Sequence, residues 1–150
     1  IPWLDGSAPE EAAAGLARSS EDLNAFLDQV MTAEGLAASQ IALLGFSQGT
    51  MMALQVAPRR AQALAGVIGF SGRLLRAEAL AAETVTKPPM LLLHGDVDQI
   101  VPFGDLKQAA DALSAAGFDL RTHVMRGTGH GISPDGLGQA LAFLRAHLPG

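Results

Sequence analysis

The 150-residue chain is long enough to bury one hydrophobic core, and its composition, 49% hydrophobic and 17% charged, is typical of a globular protein. Its net charge of −5 is scattered without a basic patch, which argues against nucleic acid as a partner, and no apolar run reaches the ~18 to 20 residues of a membrane span. The absence of cysteine excludes disulfides, thiolate metal sites and a cysteine nucleophile, and it allows a cytoplasmic location.

The beginning of the chain suggests an excised or shortened segment, because it starts with Ile1-Pro2-Trp3 and not with a methionine, and no signal sequence follows. An alanine-rich helix is predicted next. Its apolar residues share one helical face: Leu23, Phe26, Leu27, Val30 and Met31. Ser19 with Asp22 predicts a capping box at the start of this helix, and Gly35 predicts its end.

Four short apolar runs then predict buried strands of a parallel sheet. They cover residues 41–46, 64–70, 90–93 and 120–125. Helical patterns follow over residues 49–57 and 103–116, and a last helix carries a stripe of Leu137, Leu141 and Leu144. This alternation predicts one α/β domain over residues 1–150, with a parallel sheet flanked by helices.

Polar, glycine-rich loops follow three of the predicted strands. They are GFSQG (45–49), HGDVDQIVP (94–102) and GTGHG (127–131). Since the carboxyl ends of parallel strands lie at one edge of a sheet, these loops are expected to form one site. They supply a serine, two aspartates and a histidine in the chain order Ser…Asp…His, which is typical of nucleophilic hydrolases.

Each polar residue has a predicted role. Ser47 fits the nucleophile of a sharp strand-to-helix turn, where Cβ atoms on the flanking residues would clash. His130, among glycines, fits the general base, and either Asp96 or Asp98 fits the acid that orients it. His94, at a strand end, is expected to pack or to bond to the backbone. No spacing matches a metal or nucleotide motif, so we expect neither ligand.

With these loops in view, the chain resembles the phospholipase/carboxylesterase family of α/β-hydrolases, relatives of the acyl-protein thioesterases. The resemblance rests on four stretches: LLGFSQGT (43–50), GVIGFSGRLL (66–75), LLLHGDVDQIVP (91–102) and GTGHGIS (127–133). It implies Ser47 as nucleophile, His130 as base and Asp98 as acid, with Asp96 structural. It also implies the Gln48 backbone N–H as an oxyanion donor, and hydrolysis without a cofactor.

The chain departs from this family at its amino end, where members have several more strands and a His-Gly-type loop that gives the second oxyanion N–H. Residues from Ala12 onward are predicted helical, so nothing before Ile41 is expected to be that loop. A sheet that lacks these strands exposes an edge that favours pairing with another chain. We therefore expect a segment of a longer enzyme, or a shortened domain completed as a homo-oligomer through that edge.

The expected activity is that of a serine carboxylesterase acting on short to medium acyl esters through an acyl-enzyme. Thioesters and lysophospholipids remain alternative substrates, and a catalytically silent segment that serves assembly or binding is the alternative to an enzyme. Apolar residues near the expected site could line an acyl pocket: Phe46, Met51, Phe70, Leu74 and Ile132.

Overall fold

The computed structural model of the chain describes residues 9–149. These residues divide into two compact units, one that ends at Leu36 and one that starts at Ala37. The single domain predicted for residues 1–150 stays a prediction. Between residues 9 and 149, no helix combines the length and the apolar character needed to cross a bilayer.

The described part of the first unit is a long helix, α1, over Pro9–Glu34. Ser19 and Asp22 lie well inside it, so the capping box predicted there is wrong. The alanine-rich stretch before Ser19 favours helix strongly enough to start α1 much earlier. Ser20 Oγ donates instead to the Leu16 carbonyl of the preceding turn, at 2.8 Å.

The end of α1 agrees with the prediction. Gly35 has a φ of +64°, in the left-handed region, and the Leu36 N–H donates to the Met31 carbonyl at 3.0 Å. A left-handed glycine with such a bond is a common way to end a helix, because it satisfies a carbonyl that the helix leaves free.

The second unit alternates strands and helices. Its strands are β1 (Ala42–Phe46), β2 (Gly66–Phe70), β3 (Met90–Gly95) and β4 (Leu120–Met125). Its helices are α2 (Gln48–Val56), α3 (Leu80–Glu83), α4 (Gly104–Ala115) and α5 (Pro134–His147). Single turns of 3₁₀ helix lie at Ala38–Gln40, Ala57–Arg59 and Ala77–Ala79. The four predicted strands and the three helices predicted after β1, β3 and β4 are confirmed, whereas the one-turn α3 after β2 was not predicted.

The strands form a parallel sheet in the order β1-β2-β3-β4. The predicted parallel sheet is therefore confirmed. The core on the α5 side consists of apolar residues from three strands and from α5: Ile68, Phe70, Leu91, Leu93, Met125, Ala140 and Phe143. The α2 helix covers the other side, where Gly69 of β2 lies against Thr50. Strands β2 and β3 are buried along their whole length.

Strand β1 corrects one expectation, since its apolar run predicted a strand buried on both faces. It is an outer strand of the described sheet, and the side chains of Leu44 and Phe46 are 51% and 38% exposed. An apolar run reports hydrophobicity but not the position of its strand in the sheet. Pairing of this edge with another chain stays a prediction.

Because all four strands are parallel, the segments after β1, β3 and β4 emerge at the same edge of the sheet. The turn at Ser47 and the loops 96–103 and 126–133 are thus neighbours in space.

Candidate active site

Ser47 occupies a strained turn between β1 and α2. Its backbone has φ 56° and ψ −112°, a combination that residues other than glycine rarely adopt. The turn is so tight that a Cβ on Gly45 would lie 2.5 Å from Gly49 C and Thr50 N. A Cβ on Gly49 would meet nothing within 4 Å outside its own helix. The predicted clash therefore applies to Gly45 and is wrong for Gly49.

Two hydrogen bonds attach this turn to the next strand. The Phe70 carbonyl accepts one from the Ser47 N–H at 2.8 Å and another from Thr50 Oγ1 at 2.8 Å. Thr50 is 2% exposed, so its hydroxyl depends on that partner. Sequence reasoning missed this residue, although a threonine one helical turn after Ser47 is a recognisable signal.

His130 lies between the serine and a carboxylate. Its Nε2 is 3.0 Å from Ser47 Oγ, and its Nδ1 is 2.8 Å from Asp98 Oδ2. Because an ionised carboxylate only accepts, Nδ1 carries the proton that is donated to Asp98. This leaves Nε2 as the acceptor for the Ser47 hydroxyl. The three predicted residues therefore form one continuous hydrogen-bonded line.

The Asp98 carboxylate has no exposed side-chain surface. Its Oδ1 accepts the N–H groups of Ile100 at 2.8 Å and Val101 at 2.9 Å, while Oδ2 faces His130. Burial by itself would raise the pKa of Asp98, but the hydrogen bonds from His130, Val101 and Ile100 together hold that pKa below its ordinary value. Asp98 is thus kept ionised beside the imidazole.

Asp96 has a different partner, although it lies only two residues away. Its Oδ1 accepts the Gly127 N–H at 2.8 Å, which links the loop after β3 to the loop after β4. The two loops also touch directly, since a Cβ on Gly95 would overlap the carbonyl oxygens of Thr128 and Gly129. The structure therefore brings Asp98 to His130 and gives Asp96 a bracing contact.

His94 is 1% exposed and lies close to Asp98. Its Nε2 is 2.9 Å from the Val101 carbonyl, which confirms the predicted bond to the backbone and identifies that nitrogen as the donor. The same nitrogen is 3.4 Å from Asp98 Oδ2. Sequence reasoning missed this second contact, which depends on how the loop folds back on the strand.

Gln48 is the first residue of α2. The first N–H groups of a helix have no acceptor within it, and the helix dipole places partial positive charge there. The Gln48 N–H is therefore free of helical bonding directly after the serine, which is the position that the resemblance gives to an oxyanion donor.

The predicted acyl-pocket residues fall into different environments. Phe46 and Ile132 are 38% and 45% exposed, and they flank Ser47 and His130 in the chain. Met51 and Phe70 are 3% and 0% exposed, so they belong to the core of this structure, and their place in an acyl pocket stays a prediction. Leu74 lines a separate small cavity beside the ion pair between Arg73 and Asp105.

Known proteins resemble this chain in sequence and in structure. Over residues 3–148 it matches the sequence model of a family described as Phospholipase/Carboxylesterase. It is 33% identical over 120 residues to an acyl-protein thioesterase 1 of Gibberella zeae, which covers 77% of this chain and 51% of that protein. It is 31% identical over 115 residues to the esterase YpfH of Escherichia coli strain K12, which covers 77% of this chain and 48% of that protein.

Among solved structures, the crystal structure of esterase PE8 is 41% identical, with a TM-score of 0.89. The match covers 97% of this chain and 67% of that one. This chain spans about half the length of the two relatives matched by sequence. The match to the family model and the likeness to PE8 confirm the fold and the resemblance expected from the motifs: the chain belongs to the phospholipase/carboxylesterase family of α/β-hydrolases.

Proposed function

We propose that this chain carries the catalytic centre of a serine carboxylesterase that hydrolyses short to medium acyl esters through an acyl-enzyme. The observation that carries this proposal is the hydrogen-bonded line from Ser47 through His130 to Asp98. The names of its relatives, an esterase and an acyl-protein thioesterase, support an ester or thioester of a carboxylic acid as the bond that is cleaved.

In this mechanism Ser47 Oγ attacks the acyl carbonyl while His130 Nε2 takes the hydroxyl proton. The buried Asp98 carboxylate holds Nδ1–H and stabilises the imidazolium that forms. The Gln48 N–H stabilises the oxyanion of the tetrahedral intermediate. His130 then protonates the leaving alcohol or thiol, and a water activated by the same imidazole releases the acid.

The exposed apolar side chains beside the serine support an apolar acyl group. Phe46 directly precedes Ser47, and Ile132 follows His130 by two residues, so both could contact its first carbons. We assign no second oxyanion donor among residues 9–149. Removal of one such donor typically costs about 10²- to 10³-fold in rate, so a protein that provides a second donor is expected to be faster by that factor.

The test is Ser47→Ala with p-nitrophenyl acyl esters and with a fluorophosphonate probe. Loss of the nucleophile should lower kcat by about 10⁶-fold and abolish covalent labelling. Ser114→Ala, which changes an exposed serine of α4, is the matched control and should keep both. Full activity or full labelling in Ser47→Ala would contradict the proposal.

A second measurement addresses the substrate. A panel of oxygen esters and thioesters, matched in acyl chains of two to about ten carbons, gives kcat/KM for each bond type and length. The proposal expects oxygen esters of short to medium chains to be hydrolysed best. A preference for thioesters would favour the alternative of a thioesterase, and turnover of lysophospholipids alone would favour a lysophospholipase.

A further inference from the structure

The side chain of Phe46 lies against the imidazole of His130. The two ring centroids are 5.0 Å apart and the ring planes are inclined by 47°. Phe46 ends β1 and directly precedes Ser47, so the strand that presents the serine also presents this ring.

The contact matters for one protonation state of His130 in particular. In the mechanism proposed above, His130 becomes a cation when it takes the serine proton. A cation within about 6 Å of an aromatic centroid is attracted when it lies over the face of the ring, and the attraction is weaker for a neutral group. We take the 5.0 Å contact between Phe46 and His130 to be of this kind. Phe46 is 38% exposed, so this attraction is only partly weakened by solvent.

We propose that Phe46 is a positioning residue that supports the imidazolium form of His130 and holds the ring between Ser47 and Asp98. It thereby acts on the base of the reaction and not chiefly as a wall of the acyl pocket. The catalytic consequence rests on the proposed function, whereas the contact itself does not. Among residues 9–149, the groups that contact the imidazole are Ser47, Asp98 and Phe46, and His94 Nε2 lies 3.4 Å from the same Asp98 oxygen as His130.

The first experiment follows the titration of the His130 imidazole by NMR in the full chain, with its resonance assigned by His130→Gln. Phe46→Leu keeps an apolar side chain of similar reach but removes the aromatic face. The titration midpoint should move to lower pH by about half a unit, because the cation loses its aromatic neighbour. Phe46→Met, a second ring-free variant, should give the same displacement.

Two controls make this result specific. Phe46→Tyr keeps the ring and should titrate like the wild type. Leu44→Ala removes exposed apolar surface from the same face of β1 and should also leave the midpoint unchanged. A midpoint that stays in place or rises in Phe46→Leu and Phe46→Met would overturn the proposal.

The second experiment measures the pH dependence of kcat/KM for p-nitrophenyl butyrate. In Phe46→Leu the acidic limb of this pH profile should move to lower pH by as much as the NMR midpoint does. At the same time kcat should fall severalfold at an unchanged KM. A raised KM with an unchanged kcat and an unmoved limb would assign Phe46 to substrate binding and overturn its positioning role. If the wild-type chain hydrolyses no ester or thioester, the proposed function fails. The NMR titration still tests whether Phe46 stabilises the imidazolium form of His130.

Discussion

Substitution of Gly45 by alanine tests whether the turn at Ser47 depends on close contact between β1 and α2. The added Cβ would lie 2.5 Å from Gly49 C and Thr50 N, both backbone atoms. Carbon contacts are normally ~3.5 to 4.0 Å, so the strand and the helix must separate by roughly 1 Å. Such overpacking typically costs about 1–3 kcal/mol of unfolding free energy. A displacement of that size at a reacting group costs about 10²-fold in rate.

The assay combines urea unfolding with kcat/KM for p-nitrophenyl butyrate, and Gly49→Ala is the matched control. That substitution adds the same methyl group four residues later, where nothing lies within 4 Å outside its own helix. Because alanine favours helix over glycine by about 1 kcal/mol, Gly49→Ala should be as stable as the wild type or more so.

The comparison between the two variants decides the question. Gly45→Ala should be less stable than the wild type and about 10²-fold slower, and Gly49→Ala should show no loss of stability. If Gly45→Ala matches the wild type in both measurements, the turn tolerates a separation that the reasoning excludes. Equal damage in both variants would show that the contact at Gly45 is not the cause.

Two further substitution pairs test the surroundings of His130. Asp98→Asn should lower kcat by roughly 10⁴-fold, because an amide no longer fixes the tautomer of the imidazole. Asp96→Asn keeps an acceptor for the loop and should cost less than about tenfold, so equal losses in these two variants would be inconsistent with the separate roles. His94→Leu leaves the buried Val101 carbonyl without its donor and should lower the free energy of unfolding by about 1–3 kcal/mol in urea titrations. His94→Gln offers a donor again and should recover most of that loss. Equal free energies of unfolding in the two variants would contradict the hydrogen bond from His94 to the Val101 carbonyl.

The order of strands and helices and the three polar loops could be predicted from the sequence, because hydrophobic period and turn residues report local structure directly. The choice between Asp96 and Asp98 could not be made from spacing, since both follow the same strand. It depends on the turn over residues 98–101, whose N–H groups orient one carboxylate toward His130. Before the structure, only the resemblance to a family indicated that Asp98, and not Asp96, is the acid.

Other expectations failed because sequence patterns say little about neighbours in space. Met51, Phe70 and Leu44 are all apolar, yet the first two are buried in the core and Leu44 is half exposed on an outer strand. The capping signal at Ser19 failed for a similar reason. The residues before it favour helix as strongly as those after it, so a local motif did not determine where α1 begins.

The contact at Gly95 ties the geometry of the acid to that of the base. The segments that carry Asp98 and His130 meet there through backbone atoms. Their spacing is therefore set by peptide groups, and there is no room for a side chain at position 95. A glutamate at position 98 would keep the charge, but its extra methylene would displace the carboxylate from the N–H groups of Ile100 and Val101 or from His130. In the laboratory evolution of this chain, Gly95 should therefore stay a glycine in variants that keep activity, while exposed positions such as Ile132 can change.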